Sequence, residues 1–232
     1  MKVLIVVPAH NESRVLGGVL DGLLALRVGE VLVVDDGSVD GTFDIARGRG
    51  VRVIRHFLNL GLGAALATGL EVARREGFDV VVTFDADGQH NPSDVSNLLA
   101  RLEKGDVDVV VGNRSVVNGD FSGGRKNQPF VKRSGNWLLN VLNFMFFGVP
   151  YCDSQSGLRA LNRKAIEFIS INFNRYAVSS EILLEARDHG LRVAQVPIEI
   201  IYTRHSIAKG TKVKHGFEIF GHLLMRDLRG RE

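Results

Sequence analysis

In the first half of this chain the apolar residues fall into short runs, and segments of helical spacing lie between the runs. Apolar runs near residues 3–7, 31–34, 51–54, 80–84 and 107–111 predict five buried strands. Helical spacing after the first run is shown by Val15, Leu16, Val19, Leu20, Leu23 and Leu24. Strands that alternate with helices imply right-handed βαβ units, so the pattern predicts an α/β fold with a mostly parallel central sheet flanked by helices.

The second half of the chain is less regular. An apolar segment at 137–149 predicts a helix that lies either in the core or in a membrane interface, and a polar segment at 153–160 follows. Next come a predicted helix and then a strand at 191–201, in which Pro197 indicates a sheet edge or a bulge. After a basic loop, the apolar stripe at 217–228 predicts an amphipathic helix. Such a helix either binds a membrane or packs on the protein itself or on a dimer partner.

The composition fits one large globular domain, because 45% of the 232 residues are hydrophobic and 24% are charged. A net charge of only +3 argues against nucleic-acid binding, although basic residues cluster at 125–133 and 209–214. Each cluster either meets phosphate or an anionic membrane or is solvated surface. The single Cys152 excludes an intrachain disulfide framework and is consistent with a cytoplasmic setting. No run approaches the roughly twenty apolar residues that span a bilayer, and the first run is too short for a signal peptide.

Acidic residues follow three of the predicted strands. Glu12 comes just beyond the first strand, Asp35 and Asp36 end the second, and Asp85 and Asp87 end the fourth. The carboxyl ends of parallel strands meet at one edge of a sheet, which is where open α/β sheets bind ligands. The sequence therefore predicts one acidic site at that edge.

The stretch around Asp87 carries the most specific chemistry. Asp85 and Asp87 share a face of an extended chain, and Gly88 indicates a turn directly after them. Asp87 and Gln89 offer hard oxygen ligands, which suit Mg²⁺ or Mn²⁺; the alternative is a solvated loop. A calcium loop is excluded because Ser96, not a glutamate, stands at its closing position. The GxGxxG fingerprint is absent after the first strand, and there is no Walker A sequence, which argues against an NAD enzyme.

Five motifs then occur in the order seen in family 2 glycosyltransferases. They are PAHNE at 8–12, VVDDGSVDGT at 33–42, DADGQH at 85–90, GNR at 112–114 and DSQSGLR at 153–159. Over residues 3–209 the chain resembles this family, and within it the dolichyl-phosphate mannose synthase and polyprenyl-phosphate branch. The resemblance implies a GT-A fold in a single domain of residues 1–210. A Rossmann-like nucleotide-sugar half (1–115) would precede an acceptor half (116–210) and a basic amphipathic C-terminal helix (211–232).

The resemblance also implies roles for individual residues. The residues that would bind the nucleotide sugar are Pro8, Ala9, Glu12, Asp36, Gly63, Arg204 and Lys209. Asp87 and Gln89 would bind the metal, Mg²⁺ or Mn²⁺. Asp85 would touch the donor sugar or a ligand of that metal. Arg114, Lys132 and Arg133 would face the acceptor phosphate. Asp85, Asp87 and Arg114 are the predicted catalytic residues.

The implied activity is a metal-dependent inverting transfer of a sugar, first of all mannose from GDP-mannose, to a polyprenyl or dolichyl phosphate. An alternative acceptor is a hydroxyl group, for which Glu181 is the candidate base; its other possible role is to compensate a helix N-terminus. A third interpretation is a non-catalytic nucleotide-sugar binding subunit. A lipid acceptor implies peripheral attachment at the cytoplasmic membrane face, either directly or through a membrane-protein partner. No nucleic-acid partner is expected.

Overall fold

The computed structural model describes residues 1–114, 153, 155–172 and 178–201. Several predictions lie outside these residues. They concern Lys132, Arg133, Arg204, Lys209, the apolar segment 137–149 and the C-terminal helix 211–232. Within the described ranges, no helix combines the length and the apolar character that a membrane-spanning segment requires.

The described residues form seven strands and six helices. In chain order these are β1 (Val3–Ala9), α1 (Leu16–Leu26), β2 (Glu30–Asp35), α2 (Thr42–Gly48), β3 (Arg52–Arg55), α3 (Leu62–Glu76), β4 (Val80–Thr83), α4 (Asp94–Leu102), β5 (Val109–Asn113), β6 (Arg159–Asn162), α5 (Arg163–Phe168), α6 (Val178–Asp188) and β7 (Val193–Pro197). The five strands predicted in the first half are all present, so the alternating pattern is confirmed.

All seven strands belong to one sheet, in the order β3-β2-β1-β4-β6-β5-β7. Six of them run in the same direction, and β6 runs antiparallel between β4 and β5. The predicted mostly parallel α/β sheet is therefore confirmed. Pro197 ends β7, which is an edge strand as the proline indicated.

Strand β6 was not predicted, because its residues fell partly within the polar segment 153–160. It is only four residues long and begins with Arg159, which is buried although it is charged. Neither a β-branched run nor an apolar alternation marks it. Its pairing partners β4 and β5 lie far away in the sequence, so the strand is created by tertiary contacts and has no local signal.

The sheet is covered on both faces. Alternate residues of β1 point to opposite sides: Leu4 and Val6 pack with α3, α5 and α6, whereas Val3, Ile5 and Val7 pack with α1 and α4. This arrangement explains why the parallel strands are continuous apolar runs, since both faces of each strand are buried.

Strand β1 is longer than predicted, because it continues through Pro8 to Ala9. The carbonyl of Val6 accepts a hydrogen bond from the N–H of Phe84, which lies just beyond the end of β4. Alternate residues of a strand direct their backbone polar groups to the same neighbour, so the backbone nitrogen of Pro8 also faces β4. No strand residue of β4 lies opposite Pro8, and the missing N–H of the proline therefore removes no ladder hydrogen bond.

Asp108 ties three segments together at the end of the sheet remote from the acidic strand ends. Its buried carboxylate accepts hydrogen bonds from the backbone N–H of Arg192 (2.8 Å), from Nε of Arg192 (3.2 Å) and from Nδ2 of Asn162 (3.0 Å). Burial alone would raise the pKa of Asp108, but these bonds and the charge of Arg192 lower it to about 2.

Asp108→Ala is therefore expected to lower the free energy of unfolding at pH 7 by about 2–3 kcal/mol. A carboxylate with a depressed folded-state pKa stabilises the fold above its unfolded pKa of 3.8, and this contribution disappears as the pH falls through about 2. Urea unfolding at pH 7 and at several values below pH 4 tests this, with Asp21→Ala, an exposed partner of Arg49, as control. A deficit of equal size at pH 2 and pH 7 would contradict the assignment.

Candidate active site

The sheet order brings the predicted acidic residues together. Strands β2, β1 and β4 are neighbours, so the segments after them lie side by side at the carboxyl edge of the sheet. Glu12 and Asp87 come close enough for the charge of Glu12 to raise the pKa of Asp87. Asp35 differs from the others because it is fully buried, and its carboxylate faces Nε of Arg55 at 3.1 Å.

The loops after β1 and β2 hold each other through side chain to backbone hydrogen bonds. Asn11, which has a left-handed backbone conformation (φ 55°), accepts a bond from the N–H of Val39 and donates its own N–H to Oγ of Ser38. Glu12 donates its N–H to Oγ1 of Thr42 at 2.8 Å. These bonds fix the backbone of Glu12 relative to β2, and they explain why both motifs are rich in short polar side chains.

Asp36 organises the start of α3. Its two carboxylate oxygens accept hydrogen bonds from the N–H groups of Leu60 (2.9 Å) and Gly61 (2.8 Å), and Nδ1 of His56 lies 2.7 Å from Oδ1. Gly63 is buried in the first turn of the same helix. The predicted nucleotide-binding residues Asp36 and Gly63 are thus close in space, joined by backbone contacts that the sequence did not indicate.

The pKa values of Asp85 and Asp87 are shifted in opposite directions. Burial and the negative charge of Asp85 raise the pKa of Asp87 to about 6, and Glu12 adds to this effect. Burial would also raise the pKa of Asp85, but the hydrogen bond from His90 and the charges of His90, Arg159 and Arg114 lower it. Of these two carboxylates, Asp87 is therefore the one whose negative charge is less compensated by protein groups, which is the property expected of a ligand for an added cation.

The donor set around Asp87 fits a hard divalent cation. The N–H of Gln89 donates to Oδ1 of Asp87 at 3.0 Å, and the intervening Gly88 has φ 73°, so a tight turn brings Gln89 next to the Asp87 carboxylate. Among the described residues there is no group of three or more His, Cys, Asp or Glu side chains that would hold a metal by itself. A cation on Asp87 and Gln89 would need further oxygen ligands, such as water and a substrate diphosphate.

The polar segment 153–159 reaches the same site from a remote part of the sequence. The Oγ1 of Thr83 donates to the carbonyl of Gly157 at 2.7 Å. A Cβ atom on Gly157 would overlap Oδ2 of Asp85, so only glycine fits there beside the present position of that carboxylate. Sequence reasoning identified this segment as a motif but assigned no role to its residues. The one signal was its polar character between two apolar segments.

Arg114, the predicted acceptor-phosphate residue, forms a two-pronged ion pair with buried Asp153. Its Nη2 lies 2.7 Å from Oδ1 of Asp153, and its Nε and backbone N–H both donate to Oδ2. Burial would raise the pKa of Asp153, but the charge and hydrogen bonds of Arg114 and the charge of Arg159 lower it. The pair holds Arg114 in place, and sequence reasoning did not identify Asp153 as its partner.

His90 connects the Asp87 loop to the segment after β7. Its buried Nε2 lies 3.5 Å from Oδ2 of Asp85, and its ring packs edge-on against Phe84. Its backbone pairs with Ile200, and the neighbouring Ile201 donates its N–H to the carbonyl of Gln89 at 2.8 Å. The loop that carries Asp87 and Gln89 is thereby held between two parts of the sheet.

Glu181 lies in the first turn of α6 and is almost fully buried. Its Oε1 accepts a hydrogen bond from the backbone N–H of Asn172 at 2.9 Å. This contact ties the start of α6 to the segment after α5, so Glu181 has a structural role there; its roles as helix-terminus charge and as general base stay predictions.

Comparison with known proteins decides the family. Residues 4–169 match the model of glycosyl transferase family 2. The chain belongs to this family. The predicted family membership and the GT-A fold are confirmed, and the protein is a glycosyltransferase.

Two relatives and one solved structure illustrate the similarity. The UDP-N-acetylglucosamine–dolichyl-phosphate N-acetylglucosaminyltransferase of Methanococcus voltae is 36% identical, over 95% of this chain and 94% of its own length. The undecaprenyl-phosphate mannosyltransferase of Micrococcus luteus is 31% identical, over 87% of this chain and 84% of its own. The glucosyl-3-phosphoglycerate synthase of Mycobacterium tuberculosis, in complex with Mn²⁺, UDP-glucose and phosphoglyceric acid, aligns with a TM-score of 0.69. Its sequence identity is 25%, with 94% of this chain and 78% of that one covered.

Proposed function

We propose that this glycosyltransferase moves a sugar from a nucleoside diphosphate sugar to the phosphate of a polyprenyl lipid. The observation that carries the proposal is the contact of Gly157 with Asp85. This contact brings the Asp85–Asp87 pair and the segment of the Arg114–Asp153 ion pair to the same edge of the sheet. A carboxylate pair suits a metal-bound diphosphate, and an arginine suits a phosphate acceptor. The two relatives, a dolichyl-phosphate and an undecaprenyl-phosphate glycosyltransferase, support the same reaction.

On the donor side, Pro8, Ala9, Glu12 and Asp36 would line the base and ribose. Asp87 and Gln89 would hold Mg²⁺ or Mn²⁺ against the diphosphate. When bound, such a metal neutralises the charge that develops on the leaving diphosphate and acts as a Lewis acid. The complex of the related synthase with Mn²⁺ and UDP-glucose supports a divalent metal and a nucleotide sugar as ligands of this fold.

On the acceptor side, a phosphate is already ionised near neutral pH, so its oxygen attacks the anomeric carbon without a strong general base. Arg114 would orient that phosphate, and a direct displacement would invert the anomeric centre. A hydroxyl acceptor needs a carboxylate to take its proton. Glu181, the candidate base for that reaction, is buried and accepts a hydrogen bond from the backbone of Asn172. This engagement favours the phosphate acceptor over the hydroxyl acceptor.

The identity of the sugar is the finer part of the proposal. The sequence-based first choice is mannose from GDP-mannose, in line with the mannosyltransferase of Micrococcus luteus. The Methanococcus voltae relative is a UDP-N-acetylglucosamine enzyme instead, and it is the more similar of the two over more of the chain. We therefore propose UDP-N-acetylglucosamine and GDP-mannose as the two donors to be compared first.

The test is a transfer assay with labelled nucleotide sugars and liposomes that contain polyprenyl phosphate, in the presence of Mg²⁺ or Mn²⁺. We expect one donor to give a labelled lipid with stoichiometric release of the nucleoside diphosphate, and EDTA to stop the reaction. Label found only on a hydroxyl acceptor would replace the proposal by the second candidate. Donor binding without transfer to either acceptor would favour a non-catalytic binding subunit.

A lipid acceptor also requires contact with a membrane. We propose peripheral attachment at the cytoplasmic face, either directly or through a membrane-protein partner. Flotation of the same liposomes after the reaction reports this contact: protein in the floating fraction supports direct attachment. Protein that remains entirely in the dense fraction at low salt, although the lipid is glycosylated, would contradict stable direct attachment.

A further inference from the structure

A charged side chain lies fully inside the protein where the donor and acceptor sides meet. We propose that Arg159 is a positioning residue, which fixes β6 between the strand that leads to Asp85 and the strand that leads to Arg114 and so sets the distance between the two substrates. The inference rests on the proposed function, because that function defines the donor and acceptor sides. It assigns a role to a residue that the sequence motifs left without one.

The position of Arg159 in the sheet carries the first part of the argument. It is the first residue of β6, and it stands in register with Thr83 of β4 on one side and with Val111 of β5 on the other. Strand β4 continues directly to Asp85, and β5 continues directly to Arg114. Arg159 therefore lies between the strand that delivers the donor-side carboxylate and the strand that delivers the acceptor-side arginine.

The local contacts fix Arg159 itself. The side chain is 1% exposed, and its Nη2 donates to the carbonyl oxygen of Ser179 in α6 at 3.2 Å. Two residues earlier, the carbonyl of Gly157 accepts the bond from Thr83, and Gly157 packs against the carboxylate of Asp85. The guanidinium is thus anchored to a helix that covers the sheet, while the backbone leading into it supports the site.

The charges agree with this geometry. Burial would raise the pKa of Asp153, and the positive charge of Arg159 contributes to lowering it. An isolated buried guanidinium is unfavourable, and it does not lose its proton, so it needs nearby carboxylates. Arg159 thus attracts the acceptor-side Asp153 carboxylate from a fixed place in β6, directly beside the strand that leads to Asp85.

A merely structural arginine and a positioning arginine lead to different results. If Arg159 only stabilises the fold, its replacement lowers the melting temperature and reduces activity in proportion to the folded fraction. If it positions the two sides, the folded variant binds donor normally but reacts slowly. The predicted base and ribose contacts, Pro8, Ala9 and Asp36, lie on β1 and directly after β2, away from β6.

The experiment compares Arg159→Met and Arg159→Lys with the wild type. Arg192→Met serves as control, because Arg192 also pairs with a buried aspartate but at the opposite end of β5. For folded Arg159→Met we expect kcat to fall about 10- to 100-fold and the acceptor KM to rise. The dissociation constant of the nucleoside diphosphate should stay within about threefold, since slight misplacement of reacting groups is costly while remote binding contacts are kept. Arg159→Lys should recover part of kcat, and the control should lose melting temperature but keep kcat.

Three outcomes would overturn the inference: an unchanged kcat per folded molecule, an equal loss in the control, or a loss confined to donor affinity. If Arg159→Met does not fold, Arg159→Lys decides, because the positioning role requires a lower kcat at a melting temperature near that of the wild type. Failure of the proposed function is seen separately, as a wild type that makes no glycolipid. In that case metal-dependent hydrolysis of the donor replaces transfer as the readout of Asp85, and unchanged hydrolysis in both variants overturns the inference.

Discussion

Asp87→Asn is expected to reduce sugar transfer by about 10³-fold or more and, in the absence of metal, to make the protein more stable. The activity falls because a bound metal contributes several kcal/mol to charge stabilisation in the transition state, and each 1.36 kcal/mol is a factor of ten in rate. The stability rises because the pKa of Asp87 is raised to about 6 by burial and by Asp85. At neutral pH the folded state holds a carboxylate that would be more favourable in water.

The sign follows from the direction of the pKa shift. A carboxyl group with a raised folded-state pKa destabilises the fold once the pH exceeds its unfolded value of 3.8, and the penalty is complete above about 6. At pH 7.5 we expect Asp87→Asn to gain about 1–2 kcal/mol, discounted for the partial exposure of the side chain. The gain should shrink as the pH falls from 6 to 4, which thermal unfolding in EDTA measures.

Manganese provides the matching test. Added Mn²⁺ with nucleoside diphosphate should raise the melting temperature of the wild type by mass action and leave that of Asp87→Asn nearly unchanged. Asp21→Asn, an exposed partner of Arg49, serves as control and should behave like the wild type in both assays. Transfer above a tenth of the wild-type rate in Asp87→Asn, or a metal response equal to that of the wild type, would exclude Asp87 as the metal ligand.

Gly157→Ala is expected to lower kcat about 10²-fold and to leave the protein folded but less stable. The new Cβ would overlap Oδ2, Oδ1 and Cγ of Asp85, so the whole carboxyl group must move. This group moves more readily than the backbone, but the side chain is short, so we expect a stability cost of about 1–3 kcal/mol. If Asp85 contacts the donor sugar as predicted, the displaced carboxylate would no longer match that sugar, and misplacement by about 1 Å can cost a factor of 10² in rate.

Gly18→Ala is the matched control for this substitution. Gly18 lies inside α1, and a Cβ there would meet nothing within 4 Å. Replacing a helical glycine by alanine should therefore stabilise the protein by about 0.5–1 kcal/mol without changing kcat. Steady-state kinetics and thermal unfolding of both variants measure the two effects. Wild-type kcat in Gly157→Ala would show that Asp85 has no close functional relation to the segment 153–159.

The sequence was sufficient wherever the signal was local. The strands β1 to β5 are short apolar runs because parallel strands are buried on both faces, and that burial leaves a direct trace in the residue types. The positions of acidic residues after β1, β2 and β4 were enough to predict that these residues lie close together, since parallel strands end at one edge of the sheet. The roles given to Asp87 and Gln89 stay predictions, although the raised pKa of Asp87 agrees with a role in cation binding.

The sequence was insufficient where a contact joins residues that are far apart. The ion pair of Arg114 with Asp153 and the contact of Gly157 with Asp85 both depend on β6 entering the sheet between β4 and β5. Neither periodicity nor turn chemistry encodes which strands an antiparallel segment will separate. Asp36 is a related case, because only the structure shows that its carboxylate also holds the start of α3.

By itself, then, the sequence determined the α/β class, the family and the edge of the sheet at which acidic residues gather, because hydrophobic burial and short motifs act over a few residues. The tertiary structure alone decided which charges face each other. Arg159 ends a motif that gives no sign of its burial, and only the pairing of β6 with both neighbours places it inside the protein, where its charge acts on Asp85 and Asp153. Electrostatic interactions act through space, so their partners are chosen by the fold and not by the order of residues along the chain.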